Sequence, residues 1–189
     1  ADYIELIDYL ETQEMNDPIV ENALDNWIDI ESYMSYQAFQ IFVDNRDWPG
    51  NNIKFWRDHR VGGKWRWILY DTDFGFGIWD QYAYTFNTLS FALDPNGPGW
   101  PNPPWSTFVF RKLMENENFQ NSFINIYCDM LNTILLPEFL TTRLDSISGN
   151  VEEMIPVHRE RWFNDGEWPN STTNWENRLN QMENFADQR

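Results

Sequence analysis

Apolar residues recur at helical spacing over both ends of this 189-residue chain, and the pattern fails only in the stretch from residue 44 to residue 105. That distribution constrains the fold more than anything else in the sequence. Ile4, Ile7 and Leu10 mark a first helix, and Asp17-Pro18 a break. Asp29 stands where it can cap a helix with Ile30, Tyr33, Met34, Ala38, Ile41 and Phe42 on one broad face, ending near Val43. Asp44 to Asn52 then reads as an ordered loop, because Pro49-Gly50 stops any regular element. Ile53 to Trp56 and Lys64 to Tyr70 are aromatic and β-branched around Gly62-Gly63, the pattern of a β-hairpin. Ile78 to Trp105 lacks periodicity, and its Pro/Gly-dense part, Asp94 to Pro104, excludes helix and central strand.

Helical spacing resumes beyond this point. Ser106 is placed to cap a helix carrying Phe110, Leu113 and Met114, and a second helix follows through Phe119, Phe123, Ile126, Tyr127, Met130 and Leu131. Pro137 suits the first turn of a third, through Leu140, Leu144 and Ile147 to a stop at Gly149. Val151, Met154, Ile155, His158 and Trp162 share one face of a fourth, and Trp175, Leu179, Met182 and Phe185 one of a last. No internal repeat is found. The expected fold class is mainly α with a small β-hairpin (α+β), as one domain over residues 1–189.

Charge and cysteine content remove whole classes of function. With 13 Lys and Arg against 30 Asp and Glu the net charge is −17, which repels phosphate backbones and anionic lipid, so nucleic acid and membrane surfaces are not expected partners. Cys128 is the single cysteine, so there is no intrachain disulfide, and no residues have zinc-site spacing. No apolar run reaches the roughly 18 residues of a membrane span, and the first residues lack a signal-peptide pattern, so the chain reads as soluble. Aromatic residues make up 17% of the chain and are read first as core and apolar surface.

The polar residues that call for a chemical explanation fall in two short segments joined by the hairpin. Asp47 is followed five residues later by Asn52; Asp71 and Asp73 project to the same side if the second strand continues through them. Carboxylates at a strand end, with a loop carboxylate and an amide oxygen, make a hard-oxygen set suited to Mg²⁺ or Mn²⁺ and to phosphate chemistry. An EF-hand starting at Asp71 fails, since its fifth, sixth and twelfth positions would be Gly75, Phe76 and Tyr82. A glycosidase needs only two facing carboxylates, which thirty acidic residues readily supply, so that reading stays open. So does the plainest one, in which Asp47 and Asp73 only cap turns.

These residues carry a resemblance. Asn45-Arg46-Asp47 with Asn52, a hairpin, and Trp67 to Asp73 ending in Asp-Thr-Asp with Phe76-Gly77 nearby are similar to the CotH family of spore-coat-like atypical protein kinases. Arg111-Lys112-Leu113, Asn118-Phe119, the run Ile155 to Trp162, Phe185 and Arg189 extend the resemblance over nearly the whole chain. The resemblance implies the helical C-terminal lobe of a kinase-like fold and metal-dependent transfer of the ATP γ-phosphoryl group to protein Ser or Thr, with ATP and a protein substrate as partners. It implies Asp47 as the catalytic residue, and Asn52 and Asp73 as cofactor-binding residues that hold Mg²⁺ or Mn²⁺ against the phosphates, with Asp71 a further metal ligand. Phe76-Gly77 rather than Phe74-Gly75 answers to the Phe-Gly of the family pattern. Ile78 to Trp105 takes the place of an activation segment that would receive the acceptor peptide. A secreted, cell-surface or spore-associated bacterial protein is the implied location.

One departure qualifies the implied activity. Kinases cover the phosphates with a glycine-rich loop and pair them with a lysine, both N-terminal to the catalytic loop. Here no Gly precedes Gly50 and no Lys precedes Lys54, so the nucleotide-covering half is missing from these residues. The 189 residues are expected to be a fragment, or a natural remnant, that transfers phosphate poorly alone. Two other functions compete: a non-catalytic carbohydrate-binding module using Trp79, Trp100 and Trp105, and a pseudokinase scaffold. His158 is expected to be a satisfied, partly buried histidine, His59 to be solvated and Cys128 to be an inert packed thiol. Asn170-Ser171-Thr172 matches a glycosylation sequon and also suits a helix cap.

Overall fold

A computed structural model describes residues 2–100, 102–162 and 171–189. The chain forms two compact units, residues 1–75 with 87–128, and residues 76–86 with 129–189. As expected the structure is mainly helical with one two-stranded antiparallel hairpin. Among the described residues no helix is long and apolar enough to cross a membrane.

In the first unit, α1 (Asp2–Thr12) buries Leu6 and Leu10, while Ile4 is exposed, so the inward stripe runs through Leu6 rather than Ile4. Asp17 caps α2 (Pro18–Trp27) by accepting the Ile19 N–H, with Pro18 at the first helical position where its missing N–H costs nothing. Asp29 caps α3 (Ile30–Phe42) through the Ser32 N–H at 3.2 Å. This helix is the core of the unit, burying Tyr33, Met34, Ala38, Ile41 and Phe42 among others.

The hairpin pairs β1 (Lys54–Trp56) with β2 (Arg66–Ile68), with Phe55 opposite Trp67. It is tied to the start of α3 by reciprocal backbone bonds, Trp65 N to Trp27 O and Asp29 N to Trp65 O, and by the Arg66–Asp29 ion pair at 2.7 Å. Its turn demands glycine at position 63, where a Cβ would meet Asp58 O at 1.9 Å. Residues 78–105 are less irregular than their sequence suggests: a 3-10 turn covers Ala83–Thr85 and a short helix α4 (Thr88–Ala92) is capped by Asn87. α5 (Phe108–Leu113) starts without a side-chain cap, and Ser106 lies in the preceding 3-10 turn, donating to Pro103 O. α6 (Glu117–Leu131) buries Phe119 and Phe123 and is capped by Asn116, which accepts the Phe119 N–H and donates to Met15 O at 2.6 Å.

Asp29 supports both the cap and the hairpin tether. Partial burial works against ionisation of its carboxyl, but the hydrogen bonds from Arg66 and the Ser32 N–H hold it below the ordinary carboxylate range. A depressed carboxylate contributes stability that is present at neutral pH and lost as the pH falls through its folded-state value. Asp29→Ala is therefore expected to destabilise the protein by about 1–2 kcal/mol at pH 7, chiefly through the lost cap. In chemical denaturation the deficit should shrink in acid; one that stays constant down to pH 2 contradicts this.

In the second unit, α7 (Pro137–Val151) runs through Gly149 instead of stopping there and buries none of its residues. The helix expected next is divided into a 3-10 turn, Glu152–Met154, and α8 (Ile155–Trp162), with Ile155 buried. Ser171 caps α9 (Thr172–Gln188), which packs on α7 and on the Ala83–Thr85 turn. His158 departs from expectation: its Nε2 is buried without a partner. Cys128 is exposed rather than packed, while Asn170 lies outside the described residues.

Candidate functional site

The end of α3 sets the geometry of the first polar segment. Asp44 takes the left-handed conformation (φ 50°), Asn45 N–H reaches back to Gln40 O at 3.2 Å and Asp44 N–H to Ile41 O at 3.3 Å, the two bonds of a Schellman termination. Asp44 is buried, accepting from Arg46 Nε at 2.8 Å on both carboxylate oxygens and from Thr88 Oγ1 at 2.7 Å. Asn45, also buried, donates to Gln40 Oε1 at 2.9 Å, and its own Oδ1 accepts the Asp47 N–H at 3.1 Å. The backbone entering Asp47 is thus fixed by side chains on either side of it.

Asp47 itself is half-buried and engaged through both oxygens. Oδ1 accepts from Asn51 Nδ2 at 2.8 Å and Oδ2 from Asn52 Nδ2 at 2.6 Å. Asn52 has φ 51°, a conformation asparagine tolerates better than most residues. Because its amide nitrogen holds Asp47, its Oδ1 is the atom left to accept a cation. The Trp48-Pro49 peptide bond between them is cis.

Asn102, whose role the sequence does not disclose, clamps this loop. Only 4% exposed, it accepts the Gly50 N–H on Oδ1 at 2.6 Å and donates through Nδ2 to Trp48 O at 3.2 Å and Arg46 O at 3.4 Å. A Cβ at Gly50 would stand 2.7 Å from both Asn102 Oδ1 and Pro103 Cδ, so close approach of the two segments requires glycine there.

The second pair forms differently from the sequence expectation. β2 ends at Ile68, and Asp71 has φ 52°, so no extended strand carries Asp71 and Asp73 to one side. They meet through a turn instead, closed by Gly75 N–H on Thr72 O at 3.0 Å. The Asp71 carboxyl is raised above its usual range, first by its hydrogen bond with the Asp73 carboxyl, then by slight desolvation and by the charges of Asp73 and Asp47, against the pull of Lys54. Lys54 Nζ lies 4.3 Å over the Tyr70 ring. The structure thus joins Asp47 to Asn52 and Asp71 to Asp73, and the charge of Asp47 reaches Asp71.

Carboxylate and amide oxygens of this kind are the donor types that hard divalent cations take. Among the described residues no three His, Cys, Asp or Glu side chains gather tightly enough to make a metal site on their own. Asp73, Asp71 and Asn52 carry the oxygens that would serve an ion bound through one or two carboxylates plus substrate phosphates. The Asp73 hydrogen bond comes first in raising Asp71, and the charges of Asp73 and Asp47 that add to it are what such an ion would offset.

In the second unit, Phe76 (φ 52°) rests on Phe185 at 5.6 Å and Gln181 donates to Gly77 O. Arg178 reaches Ile78 O, and Arg189 the carbonyls of Tyr84 and Phe86. Residues near the chain end thus hold the Phe76–Phe86 segment in place.

The family model described as CotH kinase protein matches residues 1–189. Neither the curated proteins nor the solved structures give a match.

Proposed function

Because the chain belongs to the CotH kinase protein family, we propose that it carries the phosphotransfer machinery of an atypical protein kinase, the helical lobe that transfers the ATP γ-phosphoryl group to protein Ser or Thr. The observation that supports this most is the Asp47–Asn52 hydrogen bond at 2.6 Å, with the charge of Asp47 also reaching the hydrogen-bonded pair Asp71 and Asp73 through Asp71.

Phosphoryl transfer asks a protein mainly for position and charge compensation. Asp47 orients the acceptor hydroxyl and takes its proton. The two amides of Asn51 and Asn52 hold its carboxylate in place at 2.8 and 2.6 Å. Asn52, Asp73 and Asp71 would hold the metal, and Mg²⁺ or Mn²⁺, when bound, would supply positive charge that lets triphosphate approach a chain of net charge −17. Exposed Trp100 and Trp105 favour a second reading, a carbohydrate-binding surface.

The test is phosphate transfer from labelled ATP to a Ser/Thr-containing protein by the natural chain that carries these residues, with Mg²⁺ and then Mn²⁺. Labelling that chelation abolishes is the expected result. A well-folded protein that labels nothing with either metal, yet binds glycans without metal or nucleotide, moves the assignment to the second reading.

A further inference from the structure

The turn that ends α3 needs a residue in the left-handed conformation, a role glycine fills without strain, yet Asp44 fills it with φ 50°. Its carboxylate is also buried, and a charge resists burial unless it is paired and hydrogen-bonded. Strain and a buried charge at one position point to a role beyond the turn, since such residues persist only where the surrounding structure over-determines them, and they cluster at functional centres. The partners of Asp44 indicate that role. Arg46 Nε stands 2.8 Å from both carboxylate oxygens, and Thr88 Oγ1, 44 residues further along the chain, donates to Oδ1 at 2.7 Å. Thr88 and Ala92 are the buried residues of α4, which packs on α3. Asn87 caps α4 by accepting the Ser90 N–H at 2.8 Å, so the helix start that carries the Thr88 hydroxyl is itself fixed.

We propose that Thr88 and Asp44 form a latch that positions Asp47, an inference that rests on the reading of Asp47 as the catalytic carboxylate. Thr88 holds the Asp44 carboxylate, Asp44 holds the Arg46 side chain, and Arg46 directly precedes Asp47 in the chain. Neither Thr88 nor Asp44 is assigned to substrate or metal, so both are positioning residues. A buried ion pair adds little net stability because desolvation offsets its attraction, and its better-attested use is to fix geometry. The latch is distinct from the contacts of Asn102, which take the Arg46 and Trp48 carbonyls and the Gly50 N–H; one holds the loop by its backbone, the other by a side chain. A displacement of about 1 Å at a reacting group can lower a rate on the order of 10²-fold, so a modest shift of the loop is enough to be read.

Thr88→Val removes the hydroxyl at nearly constant volume, and Thr88→Ser keeps it. Transfer from labelled ATP by the natural chain that carries these residues is measured well below each variant's melting temperature, with amide hydrogen exchange at Asp47 read in parallel. The Asp47 N–H donates to Asn45 Oδ1 at 3.1 Å, so its exchange reports on the loop without any turnover. Thr88→Val is expected to lower kcat roughly tenfold with the KM for ATP held within about twofold. Exchange at Asp47 should speed up at least about fivefold, while the Trp65 N–H, bonded to Trp27 O, exchanges as before. Thr88→Ser should return both readouts to near the unmodified values. Val20→Ala, a truncation at a buried position of α2, controls for lost stability alone and should leave both unchanged. Unchanged exchange at Asp47 in Thr88→Val, unchanged kcat in that variant of an active chain, failure of Thr88→Ser to rescue, or an equal loss in Val20→Ala overturns the proposal. A chain that transfers no phosphate in any form counts against the kinase reading alone, and the exchange measurement still decides the latch.

Discussion

Asp47→Asn is expected to lower phosphoryl transfer by about 10²–10⁴-fold, the range that a positioned acid or base contributes, while leaving Mg·ATP affinity within a few-fold. The change removes the proton acceptor and one of the two oxygens to which Asn51 and Asn52 donate. Neither loss touches the carboxylate donors assigned to the metal, and Asn52 keeps its place through the remaining oxygen or turns slightly, which is why a few-fold change in affinity is allowed. Asp73→Asn should behave differently: with a metal carboxylate gone, nucleotide affinity and transfer fall together. It also removes the charge and the hydrogen bond that raise Asp71, so Asp71 should titrate lower in that variant. Transfer rates, with nucleotide affinity measured by calorimetry, separate the two roles. An Asp47→Asn protein that keeps more than a tenth of its activity, or an Asp73→Asn protein that binds Mg·ATP like the unmodified chain, overturns the assignment.

What could be read from the sequence was what local chemistry decides. Asp29 announces a helix start because the capping interaction spans only three residues, whereas Asp17-Pro18, read only as a break, begins the unforeseen helix α2. Asp47 and Asn52 could be paired from their five-residue spacing, since a short loop between fixed ends leaves few alternatives. The end of α3 was less legible: its Schellman turn uses Asp44 at the left-handed position where glycine is the usual signal. Gly149 misled in the opposite sense, because a glycine without a positive-φ requirement is tolerated inside a helix at modest cost. The strand carrying Asp71 and Asp73 was overextended since pairing register is a tertiary property; β2 has only three partners, Lys54 to Trp56, and the chain beyond Ile68 turns. Periodicity also says that α7 is a helix without saying what covers it.

Asn102 was hidden for a stronger reason, since its partners are 52 to 56 residues away and Pro/Gly composition reveals only that helix and strand are excluded. Its removal carries the second large effect. Asn102→Leu keeps approximate volume but leaves the Gly50 N–H and the Trp48 carbonyl unpaired in a buried setting, and each such orphan costs about 1–3 kcal/mol. The protein is therefore expected to lose about 2–4 kcal/mol of stability. Transfer measured well below the variant's melting temperature should fall at least tenfold in kcat with a smaller change in the KM for ATP, because Gly50 lies inside the loop that presents Asp47 and Asn52 while the carboxylates of Asp71 and Asp73 lie outside it. Asn102→Asp supplies the rescue: it can still accept the Gly50 N–H but cannot donate to Trp48, so it should fall between the two in both readouts. If Asn102→Leu melts and turns over as the unmodified protein does, the loop is held by its own turn residues and the clamp is incidental. If stability falls while kcat is unchanged, Asn102 is structural only and the position of Asp47 is set without it.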